Sequence, residues 1–149
     1  MTRPVLLLGY ALGPAGDRAV RVAADLASRL GADLHVVHVV DSRDYPVDPD
    51  AADFDTEAER RLADQHARVE ALLRRAGHAG AGYSQDTVRG APVAALAAAA
   101  DTVDAFMIVV GSRGEGPGSA LARLVEPSVS HGLIGHQSRP VLVVPAGAG

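Results

Sequence analysis

The segment AFMIVVG (105–111) admits few folds, because it is an uncharged apolar run ended by glycine. A run that short and that uniform suits a strand covered on both faces; a half-exposed strand would alternate with polar residues. VLLLG (5–9), LHVVHVV (34–40) and PVLVV (140–144) have the same character. YSQDTVRG (83–90) is a weaker strand candidate. Helical spacing fills the intervals. Ala19, Val22, Ala23, Leu26, Ala27 and Leu30 share one face, and Gly31 marks a stop. Ala58, Leu62, Val69, Leu72, Leu73 and Ala76 mark a long helix, with Thr56 and Glu59 spaced as a capping box and Gly77 and Gly80 bracketing its end. Pro92 suits a first helical turn, and Val93, Leu96, Ala97 and Ala100 continue it. A last helix is expected over about 127–137.

The order is β-α-β-α-β-α-β-α-β. Strands alternating with helices predict a parallel sheet with right-handed crossovers and helices on both faces. The 149 residues suffice for one domain, read here as 1–149 without an internal boundary or repeat. Aromatic residues make up only 3% and Trp is absent, so the core must be Val, Leu, Ile and Ala. A net charge of -4 argues against a broad basic surface for nucleic acid. The absence of cysteine excludes disulfides, thiolate zinc sites and cysteine nucleophiles. The first apolar run is too short for a bilayer and has no convincing signal cleavage site, so a soluble cytoplasmic protein is expected.

In open α/β sheets, ligands sit beyond the carboxyl ends of the strands, where strand order reverses. The turns Gly9–Gly16, Val39–Asp41 and Gly111–Ser119 can reach that crevice. Two are glycine-rich, which permits close backbone approach and positive φ. Amides there, beside a helix N-terminus, attract anions. Glycine-rich turns also serve as plain tight turns, and both readings stay open. A Walker loop is absent, and GYALGPAG has the wrong spacing for a dinucleotide fingerprint.

Other polar groups read as structural. His35 and His38 fall on opposite faces of one strand, which suits packing better than a shared metal. His66 and His78 read as surface residues. His131 and His136 are poorly spaced for a shared metal. The acidic stretch 41–55 lacks an EF-hand pattern and reads as a solvated loop. Ser128 and Ser130 lie near His131 without a nucleophile elbow. No catalytic set emerges.

VLLLGYALGPAGDRAVRVAADLASRLGADLHVVHVVD, then VVGSRG followed by PSVSHGLIGHQSRPVLVVP, resembles the universal stress protein family. RGAPVAALAAAA fits the segment between. The resemblance implies a Rossmann-like, adenine nucleotide alpha hydrolase-like fold: a three-layer open sheet of five parallel strands, order 3-2-1-4-5. It implies a dimer, and two branches, of which one binds ATP or AMP and the other does not. On the binding pattern, Gly9, Tyr10 and Ala11 follow the first strand and Val39 takes the adenine backbone position. Gly111, Ser112, Arg113 and Gly114 form the phosphate turn, and Ser128 matches the final serine.

Three departures bear on binding. Ala11 stands where the family's binding branch has an Asp. The span from Gly114 to the second glycine position holds twelve residues, longer than the pattern. Pro127 occupies that second position, which removes an N–H donor. Glu126 adds a carboxylate near the same helix end. The expected function is therefore a regulatory stress protein with a degenerate adenine-nucleotide site, acting as a homodimer. The alternative is a protein that binds ATP, with Mg²⁺, or AMP through Gly111–Gly114. At most weak ATP hydrolysis is expected. PVLVV, as an exposed edge, would pair with the same strand of a second copy at 140–144.

Overall fold

The computed structural model describes residues 2–40, 52–78, 82–112 and 127–147. Its elements are β1 (Val5–Tyr10), α1 (Pro14–Leu30), β2 (Asp33–Val40), α2 (Ala52–Arg75), β3 (Tyr83–Arg89), α3 (Pro92–Val103), β4 (Ala105–Gly111), α4 (Pro127–His136) and β5 (Val141–Val144). The five strands form one parallel sheet in the order β3-β2-β1-β4-β5. The predicted order is thus found. After β1 the chain winds outward to β2 and β3, then crosses to β4 on the other side of β1. The switch point lies between β1 and β4.

The uniform apolar runs are explained by two cores. Leu6 and Leu8 of β1 point to one face with Leu34 and Val36 of β2, against Ala19, Val20, Ala23 and Ala27 of α1 and Val69 and Leu73 of α2. Leu7, Val37, Ile108 and Val110 point to the other face, against Leu96 and Ala100 of α3 and Leu133 of α4. Leu6, Leu7 and Leu8 are all fully buried. Each such side chain contributes roughly 2 kcal/mol relative to exposure. The alanines of α1 let that helix approach the sheet closely.

Element ends follow local chemistry. Pro14 opens α1 after Gly13, whose φ of 137° excludes most side chains. The helix thus begins a turn and more before the first residue of its predicted stripe. Gly31 ends it in the left-handed conformation, with its N–H on the Ala27 carbonyl. Asp104 ends α3 in the same way at φ 50°. The predicted capping box at Thr56 is not the helix start, since α2 already begins at Ala52. Residues 52–55 of the predicted acidic loop are therefore helical, and 41–51 lie outside the described residues.

Candidate nucleotide crevice and the polar cluster behind it

Parallel register brings three strand ends together. Tyr10 pairs with His38, and Gly9 pairs with both Val37 and Val110. Ala11 and Ser112 therefore follow the ends of the adjacent strands β1 and β4 at the switch point, and Val39 is the next-to-last residue of β2. Because the sheet is parallel and each helix follows a strand, the N-termini of α1, α3 and α4 lie toward this same end. The strand ends that the sequence reading brings together are thus neighbours in the sheet.

Two of its glycines answer to packing. A Cβ on Gly111 would lie 2.9 Å from the Ala15 carbonyl carbon and oxygen and 3.1 Å from the Gly16 nitrogen. A Cβ on Gly16 would come within 1.7 Å of the Ala11 carbonyl oxygen. The first turn of α1 thus lies directly on the end of β4, and backbone meets backbone where no side chain fits. Gly9 differs: its Cβ would meet the Leu96 methyls at 2.9 and 3.0 Å. The Ser112 N–H, a candidate phosphate donor, instead donates to the Val144 carbonyl at 2.7 Å and extends the β4–β5 ladder. Pro127 is the first residue of α4, as the sequence predicts, so that helical position has no N–H. Arg113, Gly114 and Glu126 lie outside the described residues, and of Ser128 only the helical backbone is described. Val39 is half-buried on the α3 face.

Tyr10 turns the other way. Its ring is buried against the α1–α2 core, and its hydroxyl donates to Asp17 Oδ1 at 2.8 Å. Arg68 Nε of α2 donates to both Asp17 oxygens at 3.1 and 3.2 Å, and its terminal nitrogen bonds Oδ2. Burial alone would raise the Asp17 carboxyl. The hydrogen bonds from Arg68 and Tyr10, with the charges of Arg68 and Arg21, outweigh that and hold it below the usual range. Burial, and then the hydrogen bond to Asp17, push the Tyr10 phenol above its usual range.

Beside Tyr10 lies His38, only 1% exposed. Its ring stands edge-on to Tyr10 at 5.5 Å and is stacked on His66 at 4.1 Å and 17°. Gln85 orders this cluster. Its amide nitrogen donates to the His66 carbonyl at 3.0 Å, so its oxygen accepts from His38 Nε2 at 2.8 Å. The neutral His38 tautomer thus carries its proton on Nε2. Nδ1 is buried with no hydrogen-bond partner among the described residues. His66 Nε2 also meets Thr87 Oγ1 at 3.0 Å. Burial holds the His38 imidazole below the usual range, with the His66 charge adding to this and contacts with Gln85 and Gln65 opposing it.

Two surface assignments are corrected here. His78 is 9% exposed and sits between Ser28 Oγ and the Gly82 carbonyl, each at 3.4 Å. His66 is half-buried by its stack on His38. His66 lies on a polar stretch and His78 on a run of alanine and glycine, so periodicity gives no sign of their partners. His35 and His38 do face opposite sides, and His35 Nδ1 meets Ser84 Oγ at 2.6 Å. Sequence reasoning missed Asp17. A lone carboxylate in the first turn of an amphipathic helix was the available signal. Among the described residues no group of three or more His, Cys, Asp or Glu is placed to hold a metal ion. No helix among them is long and apolar enough to cross a membrane.

The family model described as "Universal stress protein family" matches residues 3–145. The chain belongs to the universal stress protein family. Among solved structures, this universal stress protein is similar to UspA from Lactobacillus plantarum at 19% identity, covering 97% of this chain and 99% of that one, with a TM-score of 0.76. It is also similar to a universal stress protein solved in complex with cAMP, at 24% identity, 99% and 100% coverage and a TM-score of 0.64. A third, from Archaeoglobus fulgidus in complex with dAMP, is 21% identical over 96% of this chain and 98% of that one, with a TM-score of 0.58. These likenesses carry the fold. No curated protein matches the sequence at a significant level.

Proposed function

We propose that this universal stress protein is a cytoplasmic regulator that acts as a homodimer and meets adenine nucleotides only weakly. The reading assigns the nucleotide to the crevice of Gly9, Tyr10 (through its backbone), Ala11, Val39, Gly111, Ser112, Arg113, Gly114 and Ser128. The observation that carries it is the Ser112 N–H, engaged by the Val144 carbonyl at 2.7 Å and so not directed at a ligand. Pro127 removes a second donor, and Ala11 offers no polar side chain. Each unmade polar contact costs about 1–3 kcal/mol, so two weaken binding by roughly 30-fold to 20,000-fold. The reading is one of binding; at most weak ATP hydrolysis accompanies it.

A second reading, functional binding of ATP with Mg²⁺ or of AMP through Gly111–Gly114, draws support from the relatives solved with cAMP and dAMP. A single phosphate asks for fewer donors than three. Calorimetry of the purified protein with ATP–Mg²⁺ and with AMP separates the two. The first reading expects no heat, or a Kd weaker than roughly 100 μM. Pro127→Gly, which returns one N–H, should then tighten binding by about tenfold. A micromolar Kd for the unaltered protein, or nucleotide recovered on purification, overturns the first reading in favour of the second.

The dimer proposal rests on β5. It is an edge strand of four residues, and its Val143 is 40% exposed. Antiparallel pairing with a second copy would cover that edge. Sedimentation should give a dimer for the unaltered protein and a monomer for Val143→Lys; a monomer for both defeats the proposal.

A further inference from the structure

The polar contacts that α2 makes with the sheet meet at one imidazole. His66 of α2 stacks on His38 of β2 at 4.1 Å. The His66 backbone carbonyl is held by Gln85 of β3, whose other amide atom holds His38. The His66 ring reaches Thr87 of β3. Two residues on, Arg68 binds Asp17 of α1, which binds the Tyr10 hydroxyl of β1. Farther along α2, Val69, Leu72 and Leu73 complete the attachment with apolar contact. Before His66 the described side chains of α2 are exposed or half-exposed. Among the described residues, the contacts that fasten the helix thus lie in its second half.

We infer that His38 is an acid-sensitive latch for α2: neutral, it joins helix to sheet, and a proton on its bare Nδ1 releases the helix. The groups facing His38 explain why. From α2 come His66 and Gln65, with Arg68 nearby; from β1 comes Tyr10, with Asp17 of α1 behind it; from β3 come Gln85 and Thr87. The one carboxylate in this set is Asp17, and it is already bonded to both Tyr10 and Arg68. A proton on Nδ1 would create a cation with 1% exposure, stacked on a second imidazole, at a nitrogen with no hydrogen-bond partner among the described residues. Moving α2 away removes the stack and opens His38 to water. Gln85 can still accept from Nε2, so the sheet side of the contact survives.

The sign follows from burial. The closed state disfavours the proton, so closure is fully supported above the usual histidine value near 6.5 and weakens as pH falls below it. One proton shifts the closed–open equilibrium by up to about tenfold per pH unit within that window. The helix released is the element that follows β2, one of the three strands that end at the crevice.

Hydrogen exchange between pH 7.5 and 5, expressed as protection factors, tests the latch. Amides over residues 66–75 should lose protection by up to about tenfold per pH unit below about 6.5, while those of β1 and β4 keep theirs. His38→Phe keeps the stack without a titrating nitrogen and should abolish that pH dependence. The same pH dependence in His38→Phe would overturn the inference. So would equal loss in β1, which marks global acid unfolding. A carbon-detected histidine titration of the unaltered protein decides the matter should the variant fail to fold. His38 must titrate together with α2 opening; opening while His38 stays neutral, or titration with α2 still protected, defeats the latch.

Discussion

The two faces of the sheet, compared at the carboxyl ends of the strands, are built in opposite ways. On the α1–α2 face, Tyr10, His38, Gln85 and Thr87 are polar, and each is matched to a group on a neighbouring element. On the α3–α4 face the corresponding positions are Gly9, Val39 and Val110, with almost no side-chain chemistry. A reader searching for polar side chains would choose the first face. Apart from the His38 Nδ1, those side chains find partners on neighbouring elements and fasten helices. A nucleotide at the proposed site beside the switch point would rely on backbone groups, so its binding would depend on which amides remain free.

Substitutions can break this contrast, beginning with the backbone seam where the two faces meet. Gly16→Ala should be the most damaging, because its Cβ would lie 1.7 Å from a carbonyl oxygen and neither chain segment can turn aside. We expect a loss of about 4 kcal/mol or more in urea unfolding, with the seam at Gly111 disturbed in the same variant. Gly9→Ala, on the other face, meets only side-chain methyls of Leu96 and Val110 and should lose about 1 kcal/mol. Equal losses would show that the seam is no tighter than ordinary packing.

Asp17→Ala tests the polar face and should cost about 2–3 kcal/mol, chiefly by leaving the buried Tyr10 hydroxyl without its acceptor. Arg68→Ala should cost well under 1 kcal/mol, since that side chain is 53% exposed and water screens the pair. If Arg68→Ala proved the costlier, the cluster would be held by charge and not by burial. The two titrating groups also separate by pH. Asp17 is held below its usual range, so its contribution is present above the unfolded carboxylate value near 4 and is lost as pH falls through the folded one. The His38 contribution is lost from about 6.5 downward. A stability profile flat from pH 7 to 5 and falling only below 4 would leave Asp17 as the sole acid-sensitive lock.

Much of the architecture was legible because burial on both faces writes continuous apolar runs. VLLLG, LHVVHVV and AFMIVVG were found as strands with ends shifted by a residue at most. Pro92 and Gly31 marked helix ends correctly because proline and glycine restrict local backbone geometry. The start of α2 was misread because Thr56 and Glu59 fit a capping pattern that also fits a helix interior. His66 and His78 were misread because a single polar residue carries in the sequence no mark of its distant partner.

Sequence alone determined the alternation of strands and helices, the aliphatic core and the missing N–H at Pro127, all of which depend on residue type and near neighbours. Only tertiary structure decided that Gly111 and Gly16 meet, that the Ser112 amide belongs to β5, and that Asp17, Tyr10, Arg68, His38 and His66 share one cluster. These facts turn on distances between residues far apart in the chain. Which donors a ligand finds free depends on those distances, because a hydrogen bond made inside the protein leaves that donor without a bond to offer.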